Sequence, residues 1–144
     1  MLKKLAGILL IVTVLTGCFN KGEIQKDNSD VEVSSKVKVI IDKKEYIINL
    51  EDNETAKGFA RMLPLELNMS ELNGNEKYVY LDKSLATNSY KPKRISAGDI
   101  MLYGDDCLVI FYKSFDTTYS YTKIGHIDDL PNLGNDSISV KFEK

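Results

Sequence analysis

From Val37 to the end of the chain, short apolar and β-branched runs alternate with turn signals. The first two runs are separated by Asp42-Lys43-Lys44, a pattern typical of a β-hairpin. Asn73-Gly74 and Gly104-Asp105-Asp106 indicate further turns, because these residues tolerate turn conformations. The pattern predicts seven or eight short strands. The strand-like runs are 37–41, 45–50, 65–70, 78–81, 100–103, 107–112, 119–127 and 137–142.

One segment has the period of an amphipathic helix instead. It follows the helix-start signal at 52–55, and Pro64 is expected to end it. Its apolar residues, spaced i, i+3, i+4 and i+7 as on the buried face of a helix, are Ala56, Phe59, Ala60 and Leu63. Residues 82–98 show little pattern and predict a long loop. Because closure removes exposed sheet edges, many short strands with one helix predict a mainly β fold, a closed antiparallel barrel.

A separate apolar run, residues 5–14, follows Lys3 and Lys4. A charged start, a short apolar core and small residues before a cleavage site are typical of a secretory signal peptide. The core is too short for a transmembrane helix, which needs ~20 residues. The run ends in Leu15-Thr16-Gly17-Cys18, which resembles the lipobox of bacterial lipoproteins. The resemblance implies cleavage before Cys18, diacylglycerol on its thiol and often acylation of the new amino group. The alternative is an ordinary signal peptide with a chance cysteine.

The expected organisation is a lipoprotein signal peptide at 1–17, a lipidated flexible tether at 18–36 and a barrel domain at 37–144. The tether is polar and of mixed charge, and as a flexible coil it would reach ~20–25 Å. That distance is enough to lift a small domain off a bilayer. The expected location is therefore the extracytoplasmic face of the cell membrane, with the lipid on Cys18 as the anchor.

Composition limits the possible partners. The apolar fraction is 43% and the charged fraction 28%, which are ordinary for a globular protein. The formal charge is −2, and removal of Lys3 and Lys4 would make the mature chain more acidic by two charges. A mildly acidic chain has no electrostatic signature of nucleic-acid binding, so no nucleic-acid partner is expected. It also has no polybasic patch that would bind anionic membrane lipids, so the lipid on Cys18 would have to provide the anchoring.

The remaining cysteine, Cys107, lies in the apolar run 107–112. Free cysteine is among the most buried residue types, so we expect a core residue rather than a reactive thiol. No intramolecular disulfide is expected, because Cys18 is assigned to the lipid. The chain has one histidine, His126, and no CxxC or HxxxH spacing, so no metal site and no cofactor is predicted.

Several short blocks occur in a recognisable order after the first hairpin and the helix. They are Leu63-Pro64, Asn73-Gly74-Asn75-Glu76-Lys77-Tyr78, Gly98-Asp99-Ile100-Met101-Leu102-Tyr103-Gly104 and Ile124-Gly125-His126-Ile127. In this order they resemble the small bacterial cyclophilin-like domains over about residues 37–143. The resemblance implies an eight-stranded barrel with a capping helix.

The resemblance does not extend to the catalytic motif. Cyclophilins that isomerise X-Pro bonds carry Phe-His-Arg and then Phe-Met-x-Gln-Gly-Gly after the first helix, whereas residues 64–73 contain no arginine, glutamine or glycine pair. Isomerisation needs a cation or donor aimed at the proline nitrogen, to weaken the amide resonance. Arg61 in the helix and Arg94 in the loop lie outside the motif. We therefore predict no catalytic residues and little or no isomerase activity.

Six tyrosines are predicted to lie in strands: Tyr78, Tyr80, Tyr103, Tyr112, Tyr119 and Tyr121. They either pack the barrel with their hydroxyls at the rim or form an aromatic groove for a peptide or small ligand. Cyclophilins place an aromatic residue at the end of the strand that resembles 108–112, so Phe111 is a groove candidate. The candidate groove residues are Arg61, Tyr78, Tyr80, Tyr103, Phe111 and Tyr112. His126 is expected at the surface or at a strand end, without a catalytic triad.

Three functions are open at this point. The best supported is non-catalytic binding of a peptide or small ligand; the others are a divergent peptidyl-prolyl isomerase that assists the folding of exported proteins and a structural or envelope-interaction protein. Arginine and glutamine converging on one groove would favour the isomerase. A tyrosine-lined pocket without them would favour binding, and a flat barrel face would favour the structural role.

Overall fold

Eight strands close into an antiparallel barrel in the computed structural model, which describes residues 33–144. The elements are β1 (Lys36–Ile41), β2 (Lys44–Leu50), α1 (Glu54–Arg61), β3 (Leu65–Leu72), β4 (Glu76–Tyr80), β5 (Arg94–Ile95), β6 (Asp99–Tyr103), β7 (Cys107–Phe111), β8 (Phe115–Asp116), β9 (Thr122–Ile127) and β10 (Ile138–Glu143). Around the barrel the order is β1-β10-β3-β4-β7-β6-β9-β2, and β5 pairs with β8 separately. The predicted mainly β fold, a closed antiparallel barrel with one short helix, is confirmed.

The barrel interior is filled by alternate residues of its strands. In β1 and β10 every second residue is buried, as period-two sequences require when one face of a strand lines a core. The helix adds Phe59, whose ring packs edge-on against Phe142 at a centroid distance of 5.2 Å. Within residues 36–143, every barrel strand pairs with a neighbour on both sides. The residues of the barrel core lie in the same range. The barrel therefore contains the contacts that it needs to fold alone.

Strands β6 and β7 are buried on both faces. All five residues of β7 are buried, and so are the first four of β6. Their inner residues belong to the barrel core, whereas their outer residues join a second apolar cluster outside the barrel. This arrangement explains why 100–103 and 107–112 are continuous apolar runs, since a strand covered on both sides has no polar face. The second cluster consists of Ile95, Met101, Cys107, Val109, Phe111 and Tyr121.

The predicted turns and helix ends are present. Asp42 and Lys43 both have positive φ between β1 and β2, as do Asn73 and Gly74 between β3 and β4. The first pair forms a two-residue hairpin loop, since Ile41 pairs with Lys44. The second pair belongs to the three-residue loop 73–75, since Leu72 pairs with Glu76. The helix begins after Asn53, whose side chain accepts a hydrogen bond from the Ala56 amide at 2.8 Å.

The structure differs from the sequence-based assignment after β7. The predicted strand 119–127 begins only at Thr122, because the pairing of β9 with β6 stops there and Tyr121 instead exchanges backbone hydrogen bonds with Tyr90. Tyr119 and Tyr121 are therefore outside the strands, and so is Tyr112, which follows the last residue of β7. The predicted loop 82–98 contains the short strand β5, which its pairing with β8 creates.

At the N-terminal side, β1 begins at Lys36, one residue before the expected start of the domain, because Lys36 already pairs with Asn49. The predicted signal peptide, Cys18 and the tether up to residue 32 lie outside the described residues. Among residues 33–144 no helix is long and apolar enough to span a bilayer.

Candidate ligand pocket

A pocket of about 530 Å³ lies against the outer face of the barrel. Its floor is made by outward-facing residues of β4 and β7, and the β3–β4 turn closes one end. The chain from β8 to the start of β9 forms the opposite wall. The residues that line it are Leu72, Asn73, Asn75, Glu76, Tyr78, Tyr80, Tyr103, Cys107, Val109, Phe115, Asp116, Thr117, Thr118, Tyr119 and Tyr121.

The two-residue period of β4 decides which side chains reach this pocket. Glu76, Tyr78 and Tyr80 line it, whereas Lys77 is fully buried and Val79 packs against the barrel core. On the paired strand β7 the same alternation places Cys107 and Val109 in the floor. Two tyrosines and one carboxylate of β4 therefore share one face of the sheet.

The wall is attached to the barrel by aromatic packing and by backbone pairing. Phe111 is fully buried beneath it, with its ring 5.5 Å from both Phe115 and Tyr121. The amide of Thr117 donates to the Lys93 carbonyl at 2.9 Å, which continues the β5–β8 pairing. The wall is thus held in place over strands that would otherwise expose apolar residues.

Five tyrosines surround the pocket, and three of them are well exposed. Tyr80, Tyr103 and Tyr119 are 64%, 48% and 61% accessible. Tyr78 packs edge-on against Tyr80 at 6.2 Å, and Tyr103 lies 6.2 Å from Tyr119 and 5.7 Å from Tyr121. Exposed aromatic groups grouped around a concavity are typical of binding sites, since a large apolar surface exposed without a partner is unfavourable.

Glu76 is the acidic residue of the pocket lining whose pKa is shifted. Burial raises its pKa, and the nearby Glu71 carboxylate raises it further, to about 7. Within residues 33–144 the Glu76 carboxylate has no side-chain hydrogen bond and no ion pair. The pocket therefore contains an acid that changes charge near neutral pH.

Beneath the β3–β4 hairpin, Lys77 forms a buried ionic network. Its Nζ donates to Glu71 Oε2 at 2.6 Å and to the carbonyls of Gly134 and Asp136 at 2.6 and 2.7 Å. The Tyr112 hydroxyl donates to the Glu71 carboxylate at 2.9 Å. Burial alone would raise the Glu71 pKa, but the bonds from Lys77 and Tyr112 outweigh it, and the Glu71 pKa is lowered. Burial and Glu71 in turn raise the pKa of Tyr112 to about 12.

Two further residues with polar side chains, Cys107 and Asn75, line the pocket. Cys107 is buried as predicted, and no cysteine within the described part of the chain pairs with it. Burial, with Asp106 and Glu76 nearby, raises its pKa to about 11, so the group is a neutral thiol at physiological pH. The Oδ1 atom of Asn75 is buried and has no donor among residues 33–144.

The candidate groove residues do not all come together. Tyr78, Tyr80 and Tyr103 line the pocket. Phe111 lies beneath the wall, and Tyr112 turns towards Glu71 on the other side of the hairpin. Arg61 ends the helix, and it does not contribute to the pocket lining.

Sequence reasoning did not identify Glu76 or Asn75 as pocket residues. The available signal was the alternation of Glu76, Tyr78 and Tyr80 along one strand. Tyr119 and Tyr121 were predicted to lie in a strand, and both line the pocket from an irregular segment instead.

His126 lies on β9 and does not line the pocket. Its Nδ1 is 2.9 Å from Oδ1 of the buried Asp99, and Lys123 Nζ approaches the same oxygen at 3.6 Å. The second carboxylate oxygen of Asp99 accepts from the Ser96 amide. This cluster anchors the loop before β6 to β9. Within the described residues, no group of three or more His, Cys, Asp or Glu side chains is arranged to hold a metal ion.

Comparisons with known proteins agree with the barrel. A sequence model described as the Cyclophilin-like family matches residues 39–143. Among solved structures, the solution structure of a hypothetical protein from Archaeoglobus fulgidus is similar, with a TM-score of 0.52 and 19% identity. The match covers 77% of this chain and 95% of that one, and at this identity it supports the fold alone. No curated protein matches the chain.

Proposed function

Because the chain belongs to the cyclophilin-like family, we propose that its barrel is a non-catalytic binding domain that holds a peptide or small ligand in the tyrosine-lined pocket. The observation that carries this proposal is the lining, which in the described part of the chain combines five tyrosines with a few polar groups and contains neither arginine nor glutamine. Its volume of about 530 Å³ is within the range of sites for small molecules, ~300–1,000 Å³.

The pocket favours binding over prolyl isomerisation. Arg94 is the arginine nearest the lining, and its Nη1 is paired with Asp116 Oδ1 at 2.8 Å with both side chains largely exposed. Among residues 33–144, no side chain of the lining is a cation that could weaken the amide of a bound X-Pro bond. A groove that binds the planar and twisted amides equally well gives no acceleration.

The pocket also favours binding over a purely structural role in the envelope, for which a flat barrel face is sufficient. A protein that only spaces or joins envelope components has no need for a concave cluster of exposed aromatic residues. We propose further that the protein acts at the extracytoplasmic face of the cell membrane. The Leu15-Thr16-Gly17-Cys18 motif and the polar segment after it support a lipid anchor on Cys18 and a tether to the barrel.

The test is a ligand screen on residues 19–144, which contain the whole barrel. Small molecules and short peptides are screened by thermal shift, and the bound site is mapped by NMR. We expect ligands to shift the resonances of Tyr80 and Tyr103, and Tyr80→Ala to weaken binding at least tenfold. Tyr90→Ala is the matched control, since Tyr90 is similarly exposed but does not line the pocket. Hits that bind Tyr80→Ala as tightly as the native domain, or that map elsewhere, would contradict the proposal.

A further inference from the structure

The charge of the pocket lining restricts the class of ligand. Of the described residues, Glu76 and Asp116 are the charged side chains of the lining, and both are acidic. Asp116 is already paired with Arg94, and its side chain is 82% exposed. Glu76 differs because it is half-buried and has no partner within residues 33–144. A carboxylate removed from water is unfavourable unless a proton or a cation neutralises it.

The neighbouring cation cannot neutralise Glu76. Lys77 follows Glu76 directly, but strand alternation directs it away from the pocket, where its three acceptors are Glu71, Gly134 and Asp136. The titratable groups close enough to interact with the charge of Glu76 are the Glu71 carboxylate, the Cys107 thiol and the hydroxyls of Tyr112 and Tyr121. The thiol and the two hydroxyls are neutral. None of these supplies a positive charge.

The rest of the lining also favours a ligand that is positively charged and donates hydrogen bonds. Tyrosine ring faces attract ammonium and guanidinium groups, because the face of an aromatic ring carries partial negative charge. Asn75 contributes a buried acceptor that lacks a donor. An anionic ligand would meet the carboxylate of Glu76, which has no cation paired with it within residues 33–144.

We propose, as an extension of the function proposed above, that the pocket binds an organic cation, an ammonium or guanidinium group on an apolar body, with Glu76 as its counter-ion and the tyrosines as its aromatic walls. The cation is carried either by a small amine or by a lysine or arginine side chain of a peptide. Binding requires the ionised carboxylate, so Glu76 gives up its proton when the cation enters. Affinity therefore increases as the pH rises towards neutrality, by at most about tenfold per pH unit, and then becomes constant.

The experiment uses residues 19–144 and isothermal titration calorimetry. The small probes are phenethylammonium, its neutral counterpart 2-phenylethanol and the anionic 3-phenylpropionate. The peptide probes are acetylated, amidated tripeptides with a central lysine, arginine or glutamine. We expect the cationic member of at least one set to bind tenfold or more tightly than its neutral counterpart at pH 8. Which set binds identifies the source of the cation.

Variants then assign the effect to the pocket. Glu76→Gln should lose at least tenfold in affinity for the cation and should abolish the increase in affinity between pH 5.5 and 8. Glu66→Gln, an exposed acid on β3, is the matched control and should leave both unchanged. Tyr80→Leu keeps an apolar surface but removes a ring face, so it should lower the affinity for the cationic probe more than the affinity for the neutral probe. Thermal unfolding confirms that each variant is folded.

The outcomes separate the two proposals. If neutral or anionic probes bind at the pocket and no cation binds more tightly, the cation inference is wrong and the binding function stands. If no probe of any charge binds at the pocket, both are contradicted. An unchanged affinity or pH profile in Glu76→Gln would also overturn the inference, even where a cation binds.

Discussion

Replacing Lys77 by methionine tests the buried network that joins the β3–β4 hairpin to the loop before β10. Methionine keeps most of the aliphatic volume and removes the charge. The Lys77 side chain is fully buried, and its Nζ makes three short hydrogen bonds, one of them to a carboxylate. The substitution leaves Glu71 with Tyr112 as its hydrogen-bond donor and leaves two carbonyls without their donor.

The expected loss of stability is about 3 kcal/mol. Breaking a buried ion pair on one side destabilises proteins by ~3–5 kcal/mol. The lower end applies here because Gly134 and Asp136 are exposed residues whose carbonyls can be hydrated, and because the Glu71 side chain is 18% exposed. For a domain of this size the loss corresponds to a decrease in melting temperature of ~12 °C.

The loss should also depend on pH in a defined direction. The Glu71 pKa in the folded state is lowered below its ordinary value of 4.5, so its interactions stabilise the fold above that pH and lose their effect as the pH falls through the folded pKa. In Lys77→Met the cation that lowers this pKa is gone. The difference in stability between the native domain and the variant should therefore shrink on acidification below about pH 4.5.

The assay is urea unfolding of residues 19–144 at pH 7 and at pH 3.5, followed by circular dichroism. Lys91→Met is the matched control, because Lys91 is exposed and forms no ion pair within the described residues; it should change the unfolding free energy by less than about 0.5 kcal/mol. A loss below about 1 kcal/mol for Lys77→Met, or an equal loss at both pH values, would refute the reasoning.

Four further predictions concern individual residues. The Glu76 pKa of about 7 lies above its ordinary 4.5, so protonated Glu76 stabilises the fold at low pH, and this stabilisation is lost as the pH rises from about 4.5 to 7. In urea unfolding at pH 8, Glu76→Gln should therefore have a free energy of unfolding ~1–2 kcal/mol higher than the native domain, after allowance for solvent screening. At pH 4 the two free energies should differ little. Cys18→Ser should leave an uncut precursor and abolish labelling by a fatty-acid analogue in cells, and normal labelling would disprove the anchor. Cys107 should react with a thiol reagent at least a hundredfold more slowly in the folded domain than in urea, since the thiol is buried and neutral. An X-Pro peptide should isomerise at the uncatalysed rate in an NMR exchange assay; acceleration that disappears in Arg61→Ala or Arg94→Ala would contradict this.

Local sequence pattern determined the barrel strands and their turns. Alternation in 37–41 and 138–142 is enough to define an inner face, because side chains of a strand point to opposite sides at every residue. Asn73-Gly74 determined a hairpin because both residues adopt positive φ readily. The continuous apolar run 107–112 is typical of a buried strand, and free cysteine is among the most buried residue types, so the burial of Cys107 could be predicted.

The tertiary structure alone decided the pocket. The pairing of β5 with β8 and of Tyr90 with Tyr121 joins segments whose local sequences carry weak strand signals, so neither the wall nor the irregular path of Tyr119 could be read from the chain. Tyr112 lies next to a strand end, and its hydroxyl donates to the partly buried Glu71 instead of joining the other tyrosines. The burial of Lys77 depends on carbonyls more than fifty residues away along the chain. Such long-range contacts leave no local pattern, because each residue type involved is also common on solvated surfaces.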